Sequence, residues 1–228
     1  MINDKILINS APRSGTAWLQ YVLYKHKISL LKDVEYGGNI YVDSFILRVH
    51  TPVALLAKFD GITQTTILRD PVDLIPSVIT KIMSGLGNSI VSGIAQPHEY
   101  NYVSLDRLIM EHFYVYKNYA YGIEKNIKNL KPFTFEQATT DIEYVVKSLL
   151  DMDAKNSDIE KLKAEAKSQI RVHDKGEPGY NNAVPVEKKP DPYDQAKDLL
   201  LNTKGFDKIQ KIYEDTKSLI LDEQSKWS

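Results

Sequence analysis

Apolar positions fall in short runs separated by polar turns, and the spacing of the runs alternates between two kinds. Lys5–Asn9, Phe45–Val49 and Gln64–Leu68 are continuous apolar or β-branched stretches of the length expected of buried strands. Thr16–Tyr24 is apolar on most faces, as a buried helix is, and Pro71–Met83 follows the third strand as a second helix. Pro71 suits a first helical turn, where its missing N–H costs nothing, whereas Pro76 sits inside the predicted helix and predicts a bend. Ser104–Asn126 is predicted as a long helix whose buried stripe carries Leu105, Leu108, Ile109, His112, Phe113, Tyr116 and Ile123. Phe133–Phe135 reads as a last short strand and Ile142–Met152 as a helix, and Ser157 with Glu160 has the spacing of a capping box for another. Gly85–Asn101 and Arg171–Pro192 have turn residues and no apolar period. Two helices close the chain, the second with Ile209, Ile212, Tyr213, Thr216, Leu219 and Ile220 on one face.

Strands alternating with helices predict an α/β fold, a three-layer α/β/α arrangement around a mostly parallel sheet. At 228 residues this is one domain, with 171–192 as a candidate covering loop and 193–228 as C-terminal helices. Lys and Arg number 29 against 30 Asp and Glu, a balance that argues against a general binder of nucleic acid polymers. The absence of cysteine rules out disulfides and thiolate chemistry. With no apolar leader after Met1 and no run long enough to span a bilayer, the expectation is a cytoplasmic protein.

The chemistry concentrates where strands end. Ala11-Pro-Arg-Ser-Gly-Thr-Ala-Trp18 joins the first strand to the first helix. A helix start offers unpaired N–H groups and the positive end of a dipole, Gly15 allows close backbone approach, and Arg13, Ser14 and Thr16 add donors. The same residues also fit a plain helix cap beside an arginine. The Walker pattern of phosphate loops is absent. Arg69 ends the third strand and Ser77 follows eight residues later, about two helical turns on, so the two can converge on one anion. Alternatively, Arg69 pairs with Asp70 and Ser77 faces solvent. Arg48 and His50 close the second strand two residues apart, hence on one face. His26, His98, His112 and His173 have no such company and read as satisfied or exposed imidazoles.

Taken in order, these segments resemble those of sulfotransferases that use 3′-phosphoadenosine-5′-phosphosulfate (PAPS). Pro12-Arg-Ser-Gly-Thr-Ala-Trp18 is similar to the family's 5′-phosphosulfate loop, commonly P-[KR]-S-G-T-[TS]-[WFL]. Leu68-Arg-Asp-Pro-Val-Asp-Leu-Ile-Pro-Ser77 resembles the 3′-phosphate segment, and Arg48-Val-His-Thr-Pro52 the K-T-H-x-P stretch of cytosolic members. Asp174-Lys-Gly-Glu-Pro-Gly-Tyr180 is similar to the closing R-K-G-x-x-G-x-W motif through Lys175, Gly176 and Gly179, though a polar turn accounts for it as well. The resemblance runs from Lys5 to about Tyr180.

The resemblance implies the P-loop nucleotide-binding type of fold and sulfonate transfer from PAPS to a hydroxyl or amine, leaving 3′,5′-ADP, with no metal. Arg13, Ser14, Gly15, Thr16 and Ala17 then hold the 5′-phosphate, and Trp18 stacks on adenine unless it is a core residue. Arg69 and Ser77, with Lys175 and Gly176, hold the 3′-phosphate. His50 is the general base, with Arg48 and Arg13 stabilising charge at the transferred group. The chain departs from the pattern at Arg13, where Lys is more frequent, and at Ala17, which lacks a hydroxyl; the family's dimer motif is not found. A small ATP-dependent kinase and a non-catalytic nucleotide-binding interaction module stand as alternatives. The partners expected are the nucleotide and a small-molecule or glycan acceptor, with oligomeric state open. Tyr100, Tyr102, Tyr114, Tyr116, Tyr119 and Tyr121 either line an acceptor pocket or pack into the core. A strand-end arginine that faces a ligand is expected to contribute little to stability.

Overall fold

The computed structural model describes residues 5–11, 13–16, 18–23, 45–49, 62–83, 105–150, 160–161, 164 and 192–227. Strand β1 (Lys5–Asn9) leads through a tight loop into helix α1, residues 16 and 18–23. Then come β2 (Phe45–Val49), β3 (Thr63–Leu68), α2 (Pro71–Met83), α3 (Leu105–Asn126), β4 (Leu130–Thr134), α4 (Phe135–Thr140), α5 (Ile142–Leu150), α6 (Pro192–Leu201) and α7 (Phe206–Gln224). The four strands are parallel in the order β2-β1-β3-β4. The chain leaves β1 toward β2 and leaves β3 toward β4, so the crevice between the C-terminal ends of β1 and β3 is the switch point where open α/β sheets hold ligands.

Helices cover both faces. Ile6, Ile8, Ile67 and Phe133 point to one side, where Trp18, Leu19 and Val22 of α1 and Val145, Val146 and Leu149 of α5 bury them. Leu68 and Leu130 point to the other, against Leu74 and Ile75 of α2, Ile109 and Ile123 of α3, and Ile209, Tyr213 and Ile220 of α7. β3 and β4 each divide their side chains between the two cores by the strand's period of two. The expected three-layer arrangement with a parallel sheet is what the structure shows.

Several boundaries move. The last strand begins at Leu130, and Phe135 is the first residue of α4. A capping box explains the break: Thr134 Oγ1 accepts from the Gln137 N–H at 3.2 Å while Gln137 Oε1 accepts from the Thr134 N–H at 2.9 Å. Pro132 is tolerated because β4 is an edge strand; its carbonyl accepts from Gln224 Nε2 at 2.8 Å. Helix α2 continues through Pro76. His112 is buried with Nδ1 donating to the Leu108 carbonyl at 2.7 Å, a satisfied core histidine, and burial lowers its pKa. Tyr116 and Tyr119 pack into the core, whereas Tyr114 and Tyr121 are exposed; Tyr100 and Tyr102 lie outside the described residues. So do Gly85–Asn101, Ser157 and 171–191. Among the described residues no helix is long and apolar enough to cross a membrane.

Asp70 starts α2. Its Oδ1 accepts from the Val72 N–H at 2.8 Å and its carbonyl from the Leu74 N–H at 2.8 Å. Burial raises its pKa above the ordinary carboxylate value against the opposing effect of the Val72 bond, and Asp73 adds to the rise. A carboxyl whose folded pKa is raised stabilises the fold below its unfolded pKa, and that contribution is lost as pH rises through the folded value. Asp70→Asn keeps a capping oxygen without the charge. In thermal melts at pH 7 it is expected to match or exceed the wild type, with any gain shrinking as pH falls into the carboxylate range. Asp70→Ala is expected to lose about 1 kcal/mol. An Asn variant less stable than wild type at pH 7 would show that the charge itself supports the fold.

Candidate functional site

The loop after β1 is built around two left-handed residues. Gly15 has φ of 79°, and Arg13, at 72°, is the one non-glycine among the described residues with positive φ. Such a conformation is unfavourable for a residue with a Cβ by roughly 1–2 kcal/mol. The alternation of sign is one by which successive backbone N–H groups are turned toward a common point. The Gly15 carbonyl accepts from the Leu19 N–H at 3.1 Å, so α1 starts here and its first N–H groups have no acceptor within the helix. A Cβ on Gly15 would lie 3.0 Å from Phe135 Cε2, so a side chain there would need the ring to give way in addition to adopting the left-handed φ.

Arg13, Ser77 and Arg69 converge at this loop. Arg13 Nε donates to Ser77 Oγ at 3.2 Å, and one terminal nitrogen of Arg69 donates to the Arg13 carbonyl. Ser77 is buried, not a surface residue. Asp70 caps α2, and no Arg69–Asp70 ion pair forms among the described residues. Asp73 is engaged elsewhere: the Tyr193 hydroxyl donates to its carboxylate, and Lys197 Nζ lies 3.6 Å away. Burial lowers the pKa of Arg13, and the like charge of Arg69 lowers it further. Burial lowers that of Arg69 too, against the influence of Tyr193, Asp73, Tyr116 and Glu136. Both guanidiniums remain protonated at neutral pH. Two neighbouring cations, partly desolvated and without a carboxylate in contact among the described residues, describe a place that an anion would stabilise.

Among the described residues Ser14 Oγ and Arg69 Nε are buried without a hydrogen-bond partner, as are atoms elsewhere, among them Trp18 Nε1, Gln210 Oε1 and the hydroxyls of Thr66 and Tyr213. Ser14 and Arg69 border a small pocket at the ends of β1 and β3 whose lining is otherwise mostly apolar, from Ala11, Ile67, Leu68, Leu74 and Val115 to the rings of Tyr116 and Tyr119. The Tyr116 hydroxyl donates to the Arg69 carbonyl and fixes the turn that carries the guanidinium.

The structure brings together Arg13, Ser14, Gly15, Thr16, Arg69 and Ser77. Trp18 is not at a ligand surface: its indole is fully buried among core residues and stacks on Tyr21, with ring centroids 6.1 Å apart. A base has no open ring face there, because position 18 of α1 points into the sheet-covering layer. Of the two roles the sequence left open for Trp18, stacking on adenine or packing in the core, its burial supports the second. Arg48 lies in β2 opposite Ile8, with its side chain outside the described residues. Ala17, His50, Lys175 and Gly176 also lie outside them. Phe135 is the residue sequence reading missed: Arg69 Cζ stands 4.3 Å from its ring centroid. Thr134 and Gln137, at capping-box spacing, were the available signal that placed Phe135 at a helix start. Among the described residues no group of three or more His, Asp or Glu is placed to hold a metal ion.

No protein-family model matches the chain, and no curated protein matches it. Among solved structures, mouse sulfotransferase SULT7A1 complexed with PAP is similar at 14% identity, over 92% of this chain and 89% of that one, with a TM-score of 0.49. The anion site rests on its own geometry and not on that likeness.

Arg69 is more deeply embedded than a ligand-facing strand-end arginine need be, and the two arginines should separate in experiment. Arg13→Gly removes the left-handed strain and a buried charge. It is expected to melt at or above the wild-type temperature while binding inorganic pyrophosphate at least tenfold more weakly. Arg69→Ala loses the bond to the Arg13 carbonyl and the contact with Phe135. It is expected to lose about 1–3 kcal/mol of stability as well as affinity. Melts and calorimetry on both variants decide this; unchanged pyrophosphate binding in both would exclude an anion site.

Proposed function

We propose that the protein transfers a sulfonate group from PAPS to a hydroxyl or amine of a small-molecule or glycan acceptor. The observation that supports this best is the convergence of Arg13, Arg69 and Ser77 on the start of α1 with, among the described residues, no carboxylate in contact with either arginine. Two adjoining cations and a hydroxyl suit a ligand that carries more than one phosphate-type group. In this reading the loop N–H groups, with Arg13, Ser14, Gly15, Thr16 and Ala17, hold the 5′-phosphosulfate end. Arg69 and Ser77 hold the 3′-phosphate, aided by Lys175 and Gly176.

His50 takes the proton from the acceptor as its oxygen or nitrogen bonds to sulfur. The bond from sulfur to the bridging oxygen breaks in line, and 3′,5′-ADP leaves. Arg48 and Arg13 stabilise the charge on the sulfonate and bridging oxygens during the exchange. Arg13 remains charged throughout, so it acts on the leaving group as a fixed cation and hydrogen-bond donor rather than as a proton source.

Calorimetry is expected to show 3′,5′-ADP bound more tightly than 5′-AMP by about 1.5–3 kcal/mol, the worth of charged hydrogen bonds to one more phosphate. Equal affinities would remove the 3′-phosphate site, and tight binding of ATP with Mg²⁺ would turn the reading toward a kinase. His50→Ala is expected to keep nucleotide affinity while single-turnover transfer falls about 100-fold or more. Transfer at the wild-type rate would show that the base lies elsewhere.

A further inference from the structure

Phe135 stands between the two parts of the anion site. The register that sets Thr134 beside Leu68 brings the next residue of each strand end, Phe135 and Arg69, together. The Arg69 guanidinium carbon lies 4.3 Å from the ring centroid. The ring edge meets Gly15 so closely that a Cβ there would lie 3.0 Å from it. The ring's own place is fixed by the reciprocal Thr134–Gln137 cap and by packing against the α1–α5 core.

We propose that Phe135 is a positioning residue of this site, its ring face holding the Arg69 guanidinium in the plane from which it meets the donor's 3′-phosphate and its edge setting the position of the loop at Gly15. The assignment of the 3′-phosphate to Arg69 rests on the sulfotransferase reading; the positioning of a cation for an anion does not.

The physical reason is a conflict between order and charge. An arginine side chain has several rotatable bonds and needs a partner to hold it still. A carboxylate partner would neutralise it and occupy the donors an incoming phosphate needs. An aromatic face attracts the cation without accepting its in-plane hydrogen bonds. One terminal nitrogen of the guanidinium is already directed to the Arg13 carbonyl, and the ring stands 4.3 Å from its carbon, a contact that takes up none of the guanidinium's other N–H donors. Glu136 and Asp73 lie near enough to influence Arg69 electrostatically, yet neither is in ion-pair contact with it among the described residues.

Three measurements on the full chain test this. In wild type, the Arg69 Nε–H resonance, assigned by its absence in Arg69→Lys, is expected upfield of ordinary arginines through the ring current; an unshifted signal overturns the proposal without any change at Phe135. Phe135→Leu, which keeps much of the apolar volume, is expected to melt close to wild type, to lose the upfield shift and to bind inorganic pyrophosphate about three- to thirtyfold more weakly. Phe135→Tyr is expected to restore both shift and affinity. Wild-type affinity in Phe135→Leu, or a loss that Phe135→Tyr does not rescue, shows that the ring only fills space. If wild type fails to prefer 3′,5′-ADP over 5′-AMP, the donor reading fails, while the pyrophosphate and resonance results still decide the role of Phe135.

Discussion

The rest of the site depends on one electrostatic constraint: two arginines, Arg13 and Arg69, lie near enough to repel each other at the end of a parallel sheet, with no carboxylate in contact among the described residues. Left alone, such a pair is unfavourable through desolvation and repulsion alike. The surrounding residues hold it in place by means that do not neutralise it. The Arg13 carbonyl, a ring face and the Ser77 hydroxyl hold the cations. The nearby carboxylates are given other work, Asp70 as a helix cap and Asp73 as the partner of Tyr193 and Lys197.

The sheet supplies the rigidity this arrangement needs. β1 and β3 are neighbours and parallel, so the loop after one and the arginine after the other emerge at the same level of the switch-point crevice. The buried α1–α5 layer on one face and the α2–α3–α7 layer on the other keep those two strand ends from moving apart. Arg13 in a left-handed conformation is the local cost of turning the loop toward the crevice. Strain of this kind sits beside the two arginines, which have no carboxylate in contact among the described residues. Stability and binding are therefore opposed at Arg13 and allied at Arg69, because only the second also ties the loop to β3.

Period and turn chemistry made much of this legible in the sequence. The strands at Lys5, Phe45 and Thr63 and the helices from Pro71, Leu105, Ile142 and Phe206 follow directly from apolar spacing. The loop at Arg13–Thr16 and the Arg69–Ser77 spacing were readable because each is a short segment with its own local pattern, although the two meet only in the fold. What escaped were features decided by packing. Trp18 is apolar and next to a phosphate-type loop, and nothing local in the sequence says that its rotation about α1 carries it into the core. Phe135 follows β4, and only the pairing of β4 with β3 shows that it meets Arg69. Asp70 looks like a salt-bridge partner by adjacency, yet at the start of a helix the unpaired backbone N–H groups claim it first. The roles of Arg48, His50, Lys175 and Gly176 depend on residues beyond those described.

A crystal structure of the protein grown with 3′,5′-ADP would examine the unneutralised cation pair most directly. The 3′-phosphate is expected within hydrogen-bond distance of the Arg69 guanidinium and Ser77 Oγ, and the 5′-phosphate on the N–H groups of residues 13–16 at the start of α1. A nucleotide bound elsewhere, with Arg13 and Arg69 turned onto carboxylates of the protein, would contradict it.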